Sequence, residues 1–210
     1  MVPDPRTIIV TAGCGEYRPW AARLAERAQK LNGMPCVDMS DALCWEGLTH
    51  PAWCKAQVWE HVPARVDRVV WLDADVFPAR RMPVEDVPST RFAAVPEPPR
   101  ILEQERAKLP ALKDCRAYCN AGVMVMTREA APVMLELGRR MLSAEQGHYY
   151  DQSWLNALLM GAFSALPAAW NWMIDADEPP PDVINVHAAG LGREPRWKVL
   201  RALYAAGGVG

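Results

Sequence analysis

Val69-Val70-Trp71-Leu72-Asp73-Ala74-Asp75 is the stretch on which the fold of this 210-residue chain turns. Four apolar residues in succession mark a strand covered on both faces, as the central strands of parallel α/β sheets are. The run stops at two aspartates spaced two apart, so their carboxylates project to one side just beyond the edge of the sheet. Two hard oxygen donors placed there suit Mg²⁺ or Mn²⁺. The same tripeptide recurs as Asp175-Ala176-Asp177, but it follows Trp170-Asn171-Trp172-Met173-Ile174 and precedes Glu178 and three prolines. That context reads as an acidic loop, not a strand end.

The segments on either side extend the pattern. Thr7 to Ala12 is a β-branched run ending in Gly13-Cys14-Gly15, and Trp20, Leu24, Ala28 and Leu31 then recur at helical spacing behind Pro19. Pro35 to Met39 reads as a second strand. Thr49-His50-Pro51 reads as a helix start with Thr49 as N-cap, the helix ending near Val62-Pro63. Phe92 to Val95 and Gly122 to Met126 read as further buried strands, Thr127 with Glu129 as the opening of a long helix, and Pro195 as the start of the last. Alternating strands and helices imply an α/β domain with a mostly parallel sheet, whose ligands bind at the carboxyl ends of the strands. The length fits a single domain over residues 1–210, with no internal repeat.

Composition excludes several classes. Half the residues are apolar and 23% are charged, which provides a core and argues against disorder. A net charge of −2 gives no basic excess for nucleic-acid binding. Six cysteines at 14, 36, 44, 54, 115 and 119 lack zinc-site spacing and read as reduced thiols. Neither a signal sequence nor an apolar run of about 20 residues occurs, so the expectation is a cytoplasmic protein without a transmembrane segment.

Five pieces taken in order carry a resemblance: Glu16-Tyr17 after the first strand; Lys55 ahead of Arg68-Val-Val-Trp-Leu-Asp-Ala-Asp-Val76; Tyr118-Cys-Asn-Ala-Gly-Val123; Tyr150-Asp-Gln-Ser-Trp-Leu-Asn156; and His187-Ala-Ala-Gly190. In these the chain resembles glycosyltransferase family 8. The resemblance implies a GT-A fold, a single Rossmann-like domain that takes a nucleoside-diphosphate sugar, most often a UDP-hexose, and passes the hexose to an acceptor with retention of configuration. It implies that Asp73, Asp75 and His187 hold Mn²⁺ (or Mg²⁺), and that Asp151 and Gln152 are catalytic. It places Thr11, Ala12 and Tyr17 at the base, with Lys55, Asp73, Ala74, Asn120, Ala121, Gly122 and Gly190 along the rest of the donor.

The chain departs from the family pattern in two places. Where the family continues past the histidine with a diphosphate-binding lysine, this sequence has Gly190-Leu-Gly-Arg193-Glu-Pro-Arg196-Trp197, so Arg193 takes the lysine's spacing and Arg196 is a second candidate. An aspartate pair common after the first strand is replaced by Gly13-Cys14-Gly15-Glu16. Read by themselves, Asp151 also fits a helix N-cap and Lys55 a solvated helix lysine. Trp53, Trp59 and Trp71 read as core; Trp170, Trp172 and Trp197 fall nearer the site. Two other functions fit an α/β nucleotide site: a nucleotidyltransferase, for which Gly13-Cys14-Gly15 lacks the basic residue of a phosphate loop, and a non-catalytic nucleotide-sugar-binding protein.

Overall fold

Nine strands and six α-helices form from these segments in a computed structural model, which describes residues 6–43, 46–48, 50–143, 145–174 and 178–207. In chain order they are β1 (Thr7–Thr11), α1 (Arg18–Asn32), β2 (Cys36–Asp38), α2 (Val58–His61), β3 (Arg68–Leu72), β4 (Val76–Pro78), β5 (Phe92–Pro96) and α3 (Pro99–Arg106). There follow β6 (Cys119–Thr127), α4 (Ala131–Arg140), α5 (Asp151–Leu159), β7 (Ser164–Ala165), β8 (Trp172–Met173), β9 (Asn185–His187) and α6 (Arg193–Gly207).

The main sheet has the order β2-β1-β3-β6-β5-β7. β1 pairs in parallel with β2 and β3, and β5 with β7; β6 alone runs against its neighbours. The sheet is therefore mostly parallel, and β3 sits between β1 and β6 with Val69, Val70, Trp71 and Leu72 buried, as its unbroken apolar run requires. One face packs on Trp53, Val58, Trp59, Met134 and Leu155, the other on Leu24, Ala28 and Val84. A second, three-stranded sheet, β4-β9-β8, lies against α6 through Phe77, Val186 and Trp197.

Three local readings need correction. Thr49 lies outside the described residues, as do Asp175, Ala176 and Asp177; the cap ahead of Pro51 is His50, whose Nδ1 accepts the Ala52 N–H at 3.2 Å. The segment it opens is a 3-10 helix over Pro51–Gln57 that becomes α-helical only at α2. Thr127 does not cap α4 through its hydroxyl, which has no partner, because a 3-10 turn at Arg128–Ala130 intervenes. No described helix is long and apolar enough to cross a membrane.

Candidate active site

The main-chain path out of β3 brings the acidic pair to a histidine. Asp73 N–H donates to Gly122 O at 2.8 Å, continuing the ladder with β6, and the Val76 N–H returns to Asp73 O at 2.9 Å to close a turn. That turn feeds β4, which pairs antiparallel with β9 so that Val76 faces His187, and Ala188 N–H donates to Asp75 O at 3.1 Å. Asp73, Asp75 and His187 consequently offer ligand atoms within 4.8 Å of one another. The imidazole reaches this place because residue 122 is glycine: a Cβ there would lie 2.1 Å from His187 Cε1.

His187 Nε2 is 3.3 Å from Asp75 Oδ1, while its buried Nδ1 has no hydrogen-bond partner. Burial pushes the Asp75 carboxyl up, but His187 and Arg196 outweigh it and hold the group below its ordinary value. Burial lowers the His187 imidazole and Asp75 raises it, with the carboxylate prevailing. Two carboxylates and an imidazole with an unpartnered nitrogen are a donor set that fits a divalent cation.

A buried lysine joins this cluster to α5. Lys55 Nζ lies 3.0 Å from Asp73 Oδ1, 2.9 Å from Asp151 Oδ2 and 3.0 Å from Ala121 O, and the residue is only 2% exposed. Trp71, buried in β3, donates its indole N–H to Asp73 Oδ1 at 2.6 Å. Burial opposes the Lys55 charge, yet Asp151 and Asp73 together hold its pKa above the ordinary value. Asp151 is pushed up to about 6: burial raises it, Lys55 pulls it down and Asp73 raises it further. One ammonium is shared by two carboxylates, so it compensates neither fully.

Lys55 is not solvated, and Asp151, in the first turn of α5, turns its carboxylate to Lys55, with Tyr150 at the N-cap position. Gln152 Oε1 accepts the Ala121 N–H at 3.0 Å. Asn120 Oδ1 accepts from Gly122 N–H at 2.8 Å and Asn171 Nδ2 at 2.7 Å, which leaves its amide nitrogen to donate to Glu97 Oε1 at 2.7 Å.

Two adjoining cavities open on the cluster, and Asp73, Asp75, His50 and Arg196 border both. The smaller, about 180 Å³, is lined also by Ala12, Tyr17, Trp71 and Ala74. The larger, about 830 Å³, is lined by Lys55, Asn120, Gly122, Asp151, Gln152 and Gly190 among others. Thr11 lines neither; it is fully buried in β1 and its carbonyl accepts the Met39 N–H at 2.8 Å. Ala121 meets the site through its backbone, at Lys55 and Gln152. Trp170 and Trp197 are buried and, like Trp172, line neither cavity; Trp197 stacks on Trp20 at 5.5 Å. Glu97 and Arg196 are pocket residues that the sequence reading left aside or placed second.

Arg193 is turned away. It is exposed, pairs with Glu16 at 2.6 Å, and lines neither cavity. Arg196 lies 3.4 Å from Asp75 Oδ2, bonds the Tyr17 hydroxyl, and keeps a buried Nε without a partner. Should the site take UDP, as the family resemblance implies, Arg196→Ala is expected to weaken UDP binding about tenfold while changing uridine binding little, and Arg193→Ala to change neither. Calorimetry with both ligands checks this, and the reverse ranking of the two arginines would reject the placement.

An α/β sheet whose carboxyl edge carries an Asp-x-Asp pair and a converging histidine beside two cavities has the GT-A fold of known glycosyltransferases. The family model for glycosyl transferase family 8 matches residues 38–188, and the chain belongs to that family. Among solved structures it is similar to the galactosyltransferase LgtC in complex with donor and acceptor sugar analogues, at 16% identity and a TM-score of 0.60, covering 95% of this chain and 95% of that one. It is similar also to a glycosyltransferase involved in glycosylation of the major capsid of PBCV-1, at 15% identity and a TM-score of 0.67 over 94% and 100% of the two chains. A third is GlyE of Streptococcus pneumoniae TIGR4, at 16% identity and a TM-score of 0.60, over 93% of this chain and 60% of that one. No curated protein matches the sequence. Family membership sets the nucleotidyltransferase reading aside.

Proposed function

We propose that the chain transfers a hexose from a UDP-sugar to a hydroxyl acceptor, with Mn²⁺ as cofactor and with retention of configuration. The observation that supports this most is the convergence of Asp73, Asp75 and His187, with an unpartnered imidazole nitrogen, next to the buried Lys55–Asp151 pair. Asp73, Asp75 and His187 would hold the cation. Bound there, it supplies positive charge to the diphosphate as the sugar–phosphate bond breaks.

This chain's own residues do the rest. Tyr17 and the backbone at Ala12 border the smaller cavity and face the base; Arg196, between the two cavities, bonds the diphosphate. Lys55 bridges Asp73 and Asp151 and pulls the Asp151 carboxyl down, so that Asp151 accepts bonds from sugar hydroxyls. Asn120 and Gln152 line the larger cavity, where the sugar lies. The Gln152 carbonyl spends one lone pair on the Ala121 N–H and has a second to turn toward positive charge developing at the anomeric carbon. Attack by the acceptor on the face the diphosphate leaves preserves configuration. A reducing cytoplasm suits the free thiols of Cys14, Cys36, Cys54, Cys115 and Cys119.

The test is donor hydrolysis with UDP-hexoses and Mn²⁺. Release of UDP, abolished by chelation and restored by Mn²⁺, is the expected result. Tight binding without turnover of any UDP-hexose, with or without sugar acceptors, would leave a nucleotide-sugar-binding protein instead.

A further inference from the structure

The loop that leads into Asp151 is held in a conformation its sequence does not favour. Tyr150 has φ 47° and ψ −110°, outside the regions open to a residue with a side chain, a strain that persists only where the surroundings over-determine it. The surroundings lead to one carboxylate. Glu105, on α3 and 1% exposed, accepts the His148 N–H at 2.9 Å and the Ser153 hydroxyl with the same Oε2. Ser153 Oγ in turn accepts the Tyr149 N–H at 3.2 Å and lies 3.3 Å from the Tyr118 hydroxyl. The backbone passes so close that a Cβ at residue 147 would lie 2.2 Å from Ser153 Cβ and 2.6 Å from Glu105 Oε2, which is why glycine stands there.

The amides of residues 148 and 149, immediately before Tyr150, and the hydroxyl of Ser153, two residues after Asp151, are thus anchored to or through Glu105. Between those anchors the strained Tyr150 delivers Asp151 to Lys55 and Gln152 to the Ala121 N–H. We propose that Glu105 is a positioning residue for the transfer reaction: it touches neither cavity, and its Oε2 clamps the 147–153 turn so that Asp151 and Gln152 face the donor sugar. The proposal rests on the role given above to Asp151 and Gln152. It also accounts for a buried carboxylate whose anchoring partners here are the neutral His148 amide and Ser153 hydroxyl.

Two variants separate clamping from simple packing. Glu105→Gln retains an oxygen able to accept both bonds, whereas Glu105→Ala removes it. With Mn²⁺ and a UDP-hexose, Glu105→Ala is expected to lower kcat on the order of 100-fold, as misplacement of a catalytic group by about 1 Å can, with UDP affinity changed less than about threefold. Glu105→Gln should stay within about threefold of wild type. In hydrogen exchange on the same proteins, the amides of His148 and Tyr149 should lose protection in Glu105→Ala alone, while those of β6 keep theirs. Wild-type kcat in Glu105→Ala, an equal loss in Glu105→Gln, or unchanged protection at 148 and 149 would overturn the clamp. Failure of the underlying site reading is distinct: it would appear as wild-type turnover in Asp151→Asn, with the exchange result at 148 and 149 still standing as the direct measure of the clamp.

Discussion

Asp75→Asn and His187→Ala are each expected to lower the affinity for UDP in Mn²⁺ on the order of 100-fold, and to leave the much weaker binding in EDTA unchanged. Loss of groups that merely orient a ligand costs about 10–100-fold in metal affinity, so loss of a ligand belongs at the upper end. Neither substitution should unfold the protein, since neither side chain belongs to the two apolar clusters on which β3, β6 and the helices pack. A useful companion is Gly122→Ala, because the added methyl would occupy the space of the His187 ring, 2.1 Å from Cε1. It should reproduce the His187→Ala loss without touching any ligand. Titration calorimetry in Mn²⁺ and in EDTA reads all three, and equal UDP affinity in both buffers for the wild type would end the shared-metal account.

Lys55→Met is expected to be the most destabilising single change at the site. Among the described residues its ammonium is the one cation within 3.0 Å of both Asp73 and Asp151, and removing one partner of a buried ion pair costs about 3–5 kcal/mol because the other charge is left uncompensated. For a chain of this size that corresponds to a fall in Tm of about 10 °C at pH 7.5. The pH dependence has a definite sign. Asp151 is raised to about 6 in the folded protein from 3.8, so its contribution to stability is complete below about pH 4 and lost as pH rises through 6. Without Lys55 the folded-state value rises further, so the variant should fall progressively behind wild type above pH 6 and nearly match it at pH 4 to 5. Thermal melts across that range check this; a deficit independent of pH would mean that Lys55 stabilises by packing alone.

Much of the fold was readable because burial on both faces leaves an unbroken apolar run, and β1, β3, β5 and the core of β6 all have one. The direction of β6 was not readable, since this antiparallel strand is buried on both faces and so shows the same unbroken apolar run as its parallel neighbours. Nor was the second sheet: β4, β8 and β9 have two or three residues each, too few for a period to register. Yet it is the pairing of Val76 with His187 that brings the histidine to Asp75, which only the whole-chain resemblance anticipated. Lys55 gave no local signal, because one lysine in a helical segment reads alike whether it meets water or two carboxylates. Spacing from Gly190 pointed to Arg193, but α6 begins at that residue, and three positions on, nearly one turn, Arg196 lies inward over Tyr17 and Asp75 while Arg193 reaches Glu16. Glu105 escaped notice because it belongs to no motif and acts through main-chain amides.

Whether one cation is held by Asp73, Asp75 and His187 against the donor diphosphate is read by anomalous diffraction at the manganese edge from crystals soaked in Mn²⁺ and UDP. A single strong peak within coordination distance, about 2.0–2.3 Å, of oxygens of both aspartates and of a ring nitrogen of His187 is expected. UDP bound in the cavities with no manganese peak among these three residues would contradict it.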